Sequence, residues 1–600
     1  MYCVQKIDIQ SKLLEFEDGD PSATHSFGLG PLLILLLIFQ KLEKRELTLD
    51  QILNTTEIVK KEAKSLNSIG YNNQNPPSLY QALLNLIITS SPDTALLLAN
   101  TIFECSKIRT SEHFKDILDS LNLDHTVAKN MTGRKHSKIP QKFSINDLKE
   151  ISLLFTELPS ELKYYLKFSD TYYNDKFLNN SSFLLKNNKV EYGYFFGENS
   201  SECFCITKIN EEYKLIIVSG ASNAFHRDYL VEKAIYEIKY TEHLKPSIDK
   251  KFEKNEVVLN FIGDTYFGEF YSERRLLRKT YDTLTMDGYD HSLNRLRTFL
   301  NQADFNIVNL EAALVNKSTP SPLQGLKKFI LGARPNQTLN ALKKGNIHAV
   351  TLANNHTADF GNLGIKNTID ELKAHHILYC GAGMDSTEAN KPMRFEINGK
   401  YVTIFSAYWY RFNNHRIFKF YATPSKSGVN TIEGELLESI RLERKTFPDS
   451  YIIVLPHWGV DFLPVQNYQR NLGNQIVDAG ADLILGHGPH TIQQIYKTKD
   501  KPIIFSMGNG FFNSDGEYDG YPEAAPYGFI SQLLFTTNKL MKLRLYPIYS
   551  NNRDTRWQPN FVNSNDFRKV LDYLLKVKSD LSNWNIVENV ENPYLELMIT

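Results

Sequence analysis

Val257-Val258-Leu259-Asn260-Phe261-Ile262 runs into Gly263-Asp264, and the same pattern recurs four times downstream: an apolar run stops on a residue able to hold a metal ion. Phe305-Asn306-Ile307-Val308-Asn309-Leu310 stops on Glu311, and Ala349-Val350-Thr351-Leu352-Ala353 stops on Asn354-Asn355-His356. Tyr451-Ile452-Ile453-Val454-Leu455-Pro456 stops on His457-Trp458-Gly459, and Asp482-Leu483-Ile484-Leu485 stops on Gly486-His487-Gly488-Pro489-His490. In sheets wound with helices, the carboxyl ends of the strands form the edge where ligands bind. Strand ends supplying Asp, Glu, Asn and His have the composition of a carboxylate–imidazole site for one or two divalent ions. Each piece alone has a plainer reading. Gly263-Asp264 and Asn354-Asn355 suit turns, and His457 beside Trp458 suits a hydrogen-bonded core histidine. Five in succession point to a site.

Outward from that stretch, 600 residues with 42% apolar content are enough for two or three domains with real cores. Lys+Arg and Asp+Glu balance at 68 each, so no net charge draws the chain to nucleic acid or anionic lipid. Cys3, Cys105, Cys203, Cys205 and Cys380 are odd in number and scattered, which describes neither a disulfide framework nor a zinc knuckle. Cys203 and Cys205 share one face of an expected strand and read as packing. Reduced thiols in a cytosolic chain are the simplest reading. The N-terminus, Met-Tyr-Cys-Val-Gln-Lys-Ile-Asp, lacks the order of an export signal. The apolar run Leu32 to Phe39 is far short of the roughly 20 residues that cross a bilayer, so it reads as a buried helix.

Periodicity divides the chain near residue 250. Residues 2 to 18 alternate like a strand pair, and Pro31 to about 170 is mostly helical, with Leu79, Leu83, Leu86 and Ile87 at helical spacing. Alternation returns from Tyr192 to Gly220, and a helix is expected around Asp228 to Tyr240. This is α+β: one sheet built from both ends of the segment, packed by helices. Residues 1–243 are thus one domain and 244–255 a polar linker containing Pro246. Residues 256–600 alternate strands with helices such as Asn362 to His375 and Tyr468 to Ala479, an α/β layered domain. A closing helix is expected at 565 to 582.

The motifs of the second domain are Gly263-Asp264, Asn309-Leu310-Glu311, and Ala353-Asn354-Asn355-His356 with Asp359 and Gly361. They continue with His457-Trp458-Gly459, Ala479-Gly480-Ala481-Asp482, Gly486-His487 through Pro489-His490, and Ser506-Met507-Gly508-Asn509. In order and spacing, this segment resembles the poly-γ-glutamate capsule synthesis (CapA) family, a branch of the calcineurin-like metallophosphoesterases. The resemblance implies a four-layer α/β/β/α fold and a divalent metal ion, manganese, iron or zinc. Its ligands would be Asp264, Glu311, Asn355, His457 and a histidine of the segment His487 to His490. His356 would be the acid group beside the substrate and Asp359 its orienter. The implied chemistry is hydrolysis by a metal-activated water. Three departures stand out: Tyr266 where metallophosphoesterases at large carry a histidine, Gly488 for the middle histidine of the fifth motif, and Asp461 where glutamate is usual. Each thins the coordination shell.

In the first domain, Ala23-Thr24-His25-Ser26-Phe27-Gly28-Leu29-Gly30-Pro31-Leu32 stands where the serine β-lactamase and D,D-carboxypeptidase fold carries Ser-x-x-Lys. Ile88 to Ala95 stands at the Ser-Asp-Asn motif and Tyr194-Phe195-Phe196-Gly197 at Lys-Thr-Gly. This domain resembles that fold, but not its chemistry. Leu29 replaces the lysine that would help activate a serine, Asp93 replaces the asparagine, and Phe195-Phe196 replace Lys-Thr. Ser26 reads as a helix cap, and the former cleft as an apolar one lined by Leu29, Phe195 and Phe196. The domain is expected to be inactive.

Two functions remain open. One is a metal-dependent hydrolase-like protein acting on or guiding an anionic polymer such as poly-γ-glutamate, or a small anionic substrate. Arg411, His415 and Arg416, after the strand Tyr401 to Ser406, would be carboxylate or phosphate contacts; the alternative for them is a solvated basic loop. The other function is a non-catalytic assembly scaffold built from two degenerate enzyme folds. Retention of Asp264, Glu311, Asn355-His356 and His457 favours the first; Gly488 and the inactive first domain favour the second.

Overall fold

The computed structural model describes residues 2–26, 28–65, 67–103, 114–134, 141–180, 182–197, 201–238, 246, 248–536 and 541–599. Phe27, Cys105, Tyr240 and positions 244, 245 and 247 of the expected linker lie outside the described residues. The chain divides into two compact units, 1–239 and 240–600.

In the first unit, strands β1 (Cys3–Asp8), β2 (Leu14–Gly19), β3 (Tyr192–Phe196), β4 (Glu202–Ile209) and β5 (Glu212–Ser219) form an antiparallel sheet of order β2-β1-β5-β4-β3. Alternation along the strands sends Ile7, Tyr194, Phe204, Ile206 and Ile217 to one face. There they join one core with helices α1 (Gly30–Glu43), α2 (Leu79–Thr89), α3 (Pro92–Ile102) and α4 (Ile145–Thr156). A closing helix, α5 (Ala224–Ile235), starts four residues before the expected Asp228 because Asn223 caps it, accepting a hydrogen bond from the His226 backbone. The strand pair, the helical body and the return of the chain into the same sheet follow the sequence pattern.

Two expectations about the former serine site need correction. Leu29, not Ser26, is the residue that precedes α1, and no side chain among the described residues caps the helix there. Ser26 is exposed. The two phenylalanines of β3 point to opposite faces, as successive strand residues must. Phe196 stacks on Tyr194, whereas Phe195 turns to the Arg227 guanidinium on α5, so the pair does not line a common cleft.

The second unit begins with β6 (Ile248–Phe252), which lies inside the expected linker. Its backbone pairs in parallel with β11 (Met393–Ile397), and Phe252 is buried in the domain core. The lysines at 250 and 251 hid a strand, because an edge strand can carry charge along its open side. Next come β7 (Glu256–Tyr266), β8 (Phe305–Leu310), β9 (Ala349–Thr351), β10 (Leu378–Cys380) and β12 (Lys400–Tyr408). They are followed by β13 (Tyr451–His457), β14 (Leu483–Leu485), β15 (Ile495–Thr498), β16 (Lys501–Ile504), β17 (Asn509–Phe512), β18 (Tyr527–Thr536) and β19 (Met541–Tyr549), then β20 (Asn560–Phe561), β21 (Asn585–Val587) and β22 (Tyr594–Ile599).

These strands make two sheets. The first has the order β10-β9-β8-β7-β18-β19-β22-β21, with β17 beside β7 and β20 beside β19; the second has the order β6-β11-β12-β13-β14-β16-β15. One face of each sheet contributes to a common core that includes Leu259, Phe261, Ile307, Phe529, Ile404, Ile453 and Leu485. On the outer face of the second sheet, Ile452, Val454 and Ile484 pack against helices Leu437–Thr446 and Asn467–Ala479 through Ile440, Leu472 and Ile476. Helices Pro335–Lys344 and Gly361–Ala374 accompany the first sheet and bury Leu339, Leu342, Ile365, Ile369 and Leu372. The layering is α/β/β/α. The helix expected at 565 to 582 is shorter, Ser564–Lys576, and does not close the chain: β21 and β22 follow and extend the first sheet.

Candidate metal centre

The five motif-bearing strands do not share one sheet. β7, β8 and β9 run parallel in the first sheet, and β13 and β14 run parallel in the second. The site therefore forms where the carboxyl ends of two sheets meet. β7 carries Asp264 within the strand, because after an irregularity at Ile262/Asp264 it continues beside β17 as far as Tyr266. That approach requires Gly263, where a Cβ would lie 1.9 Å from the Gly508 carbonyl oxygen. His457 ends β13, Trp458 is held by its indole N–H donating to the Phe505 carbonyl at 2.7 Å, and a backbone bridge ties His457 to His487.

Asp264 and Glu311 are wholly buried. Asp264 Oδ1 lies 3.4 Å from His487 Nδ1 and 3.7 Å from His457 Nδ1, and Oδ2 lies 3.4 Å from His490 Nδ1. Glu311 Oε1 lies 3.8 Å from Nε2 of both His356 and His457, and 4.0 Å from His490 Nε2. His457 and His487 approach through their Nδ1 atoms at 2.9 Å. Asp264 with His457 and His487, and Asp264 with Glu311 and His490, each present ligand atoms within 4.8 Å of one another. Neither oxygen of Glu311 accepts a hydrogen bond from any described residue, and the same holds for Asn355 Oδ1; His487 Nε2 is likewise buried with no hydrogen-bond partner among the described residues.

The electrostatics follow from this crowding. Burial alone would raise the Asp264 carboxyl, but the His487 hydrogen bond and the nearby imidazoles of His457 and His490 hold it below its ordinary range. Burial, then the carboxylate of Asp264, pushes Glu311 well above its ordinary range. Burial lowers His457 far more than Asp264 can raise it. At His490 the balance reverses: burial is overcome by Glu311, Asp264 and Asp461, which push the imidazolium up to about 9. A pocket that raises the proton affinity of an imidazole in this way attracts cations. A buried carboxylate without a partner is costly, and buried carboxylates, imidazoles and an amide oxygen are donors suited to manganese, iron or zinc. The residues fit a divalent ion.

His356 and Asp359 sit beside this cluster. His356 Nδ1 lies 2.7 Å from Asp359 Oδ2, which also accepts the Leu331 N–H at 2.7 Å. Burial, then the ammonium of Lys327, lowers the His356 imidazole. Arg411 lies over Trp409, with its charge near the Tyr408 hydroxyl, and Arg416 lies over Phe412; both arginines are exposed. The His415 ring instead packs inward against Tyr410 and Tyr421, and burial lowers its imidazole to about 3.

Three residues escaped the sequence reading as site residues. Asn309 donates to Asp264 Oδ1 at 2.8 Å and reaches His457 Nδ1 at 3.4 Å. Asn509 holds His490 Nδ1 at 2.8 Å. Both stood in the quoted motifs without a role, so the signal was present. Lys327 donates to the Asn355 carbonyl at 2.6 Å and to Asp359, and comes from an irregular segment where no periodicity marks it. Tyr266 supplies no ligand: its hydroxyl donates to the Gly332 carbonyl and accepts the Phe270 N–H at 2.7 Å.

Residues 258–514 match the family described as bacterial capsule synthesis protein PGA_cap. The α/β/β/α layering of this PGA_cap segment is metallophosphoesterase-like, as the resemblance implied. The capsule biosynthesis protein CapA of Bacillus anthracis is 26% identical over 280 residues, 46% of this chain and 64% of that protein. The PGA biosynthesis protein CapA of Bacillus subtilis (strain 168) is 27% identical over 266 residues, 44% of this chain and 65% of that protein. The chain thus spans somewhat under two thirds of the length of these relatives. Among solved structures, penicillin binding protein 6B from Escherichia coli matches at a TM-score of 0.35 and 16% identity, covering 39% of this chain and 75% of that one. Penicillin-binding protein D2 from Listeria monocytogenes in its cefotaxime-bound form matches at 0.32 and 16%, covering 39% and 95%. The sheet order and helical body of the first unit follow the architecture that the sequence resemblance led one to expect. Among the described residues, no helix is long and apolar enough to cross a membrane.

Proposed function

We propose that the PGA_cap segment is a divalent-metal, hydrolase-like site serving the synthesis or processing of poly-γ-glutamate or a related anionic cell-surface polymer. Asp264, Glu311, Asn355, His457, His487 and His490 would hold the metal. The observation that carries this reading is Glu311: a wholly buried carboxylate whose two oxygens meet no hydrogen-bond donor among the described residues, ringed by three imidazoles. A bound ion would lower the pKa of its water towards neutrality and neutralise charge on the oxygen under attack. His356, with Asp359 at its Nδ1 and Glu311 3.8 Å from its Nε2, would hold or deliver a proton. Arg411 and Arg416 offer exposed guanidinium groups to an anionic chain. The first unit contributes no serine chemistry, since Leu29 stands where the activating lysine would be.

A second reading, an assembly scaffold, is favoured by Tyr266, whose hydroxyl is bonded away from the cluster. Elemental analysis after reconstitution with manganese, iron or zinc separates the two. The expected result is near-stoichiometric metal in the wild type and none in Asp264→Ala. A wild type that retains no ion of any of the three would leave the scaffold reading standing.

A further inference from the structure

We infer that Lys327 is a positioning residue of this site: it locks Asp359, and through it fixes His356 with Nδ1–H on Asp359 and Nε2 turned towards Glu311, and it separately holds the Asn355 carbonyl. The use of Nε2 rests on the reading of the site proposed above; the clamp itself does not.

The Lys327 side chain is 11% exposed and Asp359 is fully buried. Its Nζ donates to Asp359 Oδ1 and to the Asn355 carbonyl at 2.6 Å, lies 3.1 Å from His356 Nδ1, and stands 4.9 Å from the centre of the Phe420 ring. An ammonium has three N–H donors and no acceptor, and an ionised carboxylate only accepts. His356 Nδ1 cannot both donate to Asp359 Oδ2 and accept from Lys327. The carboxylate is nearer, at 2.7 Å, and charge-assisted, so Nδ1 carries the proton and points it at Asp359. Lys327 then spends two N–H groups on Asp359 and Asn355, and its third faces the Phe420 ring, a cation–π contact.

Asp359 is immobilised from both sides. Oδ1 takes Lys327, and Oδ2 takes the Leu331 N–H and His356. The carboxylate cannot rotate without breaking one of these bonds, and the ring it holds cannot flip. The Asn355 carbonyl is fixed by the same ammonium, which steadies the residue whose side-chain oxygen, Oδ1, is buried with no hydrogen-bond partner among the described residues. Lys327 therefore is not an anion receptor waiting for substrate. Its ammonium is already committed, and it acts by holding two neighbouring groups of the site in register.

The test uses the full chain labelled with nitrogen-15 at histidine, metal-free and zinc-loaded, with the His356 signals identified by their loss in His356→Gln. In the wild type, His356 is expected as the Nδ1–H tautomer with an unprotonated Nε2. In Lys327→Met that fixed pattern should be lost, while Lys327→Arg should restore it at least partly. An Nε2–H tautomer in the wild type, or wild-type signals in Lys327→Met, would overturn the role. If Lys327→Met fails to fold, the Lys327→Met/Asp359→Asn pair removes both buried charges together. Its His356 signals should equal those of Asp359→Asn alone, and a further change would show that Lys327 does not act through Asp359. Zinc uptake by calorimetry keeps the two readings apart. Loss of uptake in the wild type would strike the metal site and leave the tautomer result intact. In Lys327→Met, an affinity loss of about 10- to 100-fold is expected, the scale of outer-shell groups; an unchanged affinity would overturn the claim that the Asn355 peptide is held for the metal.

Discussion

Asp264 divides its two oxygens between two groups of imidazoles, with Oδ1 facing His457 and His487 and Oδ2 facing His490. Removing it takes a donor from both groups, so Asp264→Ala is expected to abolish manganese uptake in a calorimetric titration. The Asn509 side-chain oxygen meets the site at His490 Nδ1. Asn509→Ala should therefore weaken uptake by about 10- to 100-fold, as outer-shell losses do. Equal effects of the two substitutions would show that the cluster does not bind metal through Asp264. Gly488 supports a second prediction at this scale. Its φ is +115°, its N–H donates to Asp264 Oδ2 at 3.0 Å, and a Cβ there would lie 2.7 Å from the Trp458 carbonyl oxygen and 3.1 Å from the His457 ring. Restoring the histidine usual in the resembled motif should not restore a ligand. Gly488→His is expected to cost on the order of 1–3 kcal/mol in backbone strain, seen as a lower thermal midpoint, with no gain in metal affinity. A tighter-binding, equally stable variant would mean that this loop opens more readily than its contacts imply.

At the scale of elements, most of what positions the site was legible. Apolar runs before Glu311, His457 and His487 became β8, β13 and β14 because buried parallel strands read as unbroken apolar sequence. What could not be read was which sheet each strand joins. A single strand records its own burial, not its partner, so one edge was expected where two sheets meet. The edge strand β6 was missed for a related reason: Asp249, Lys250 and Lys251 make it look like a linker, while its stability comes from pairing with β11 and from burying Phe252. Lys250 also lies 5.1 Å from the ring centres of both Phe252 and Phe305. Burying one such side chain contributes about 1.5–3 kcal/mol. A fragment of residues 246–600 should therefore unfold at a higher urea concentration than one of residues 256–600, with a similar slope. Coincident unfolding curves would show that β6 adds nothing to the fold.

For the whole molecule, the second unit gathers the candidate donor set, while the segments of the first unit that resemble serine-enzyme motifs make packing and hydrogen-bond contacts. In the first unit these segments hold the fold together. Leu29 is fully buried in the helical core. Ser90 Oγ is bound to the Tyr194 hydroxyl at 2.9 Å and the Phe195 carbonyl at 3.2 Å. The buried Asp93 accepts the backbone N–H groups of Ile69 at 3.0 Å and Gly70 at 2.8 Å, clamping a loop rather than facing a substrate. Ser26 is exposed ahead of α1, and the aliphatic Leu29, where the sequence motif would place the lysine, cannot take its proton. A serine hydroxyl without a base is a poor nucleophile. The intact protein should therefore form no covalent adduct with a labelled penicillin over hours at neutral pH, as read by mass spectrometry of the whole chain and of the peptide containing Ser26. Leu29→Lys should not restore the reaction either, because it would bury an ammonium in the apolar helical core and so favour the neutral or unfolded form. A stoichiometric adduct on Ser26 of the wild type would mean that another group supplies the base and that the first unit is an enzyme after all.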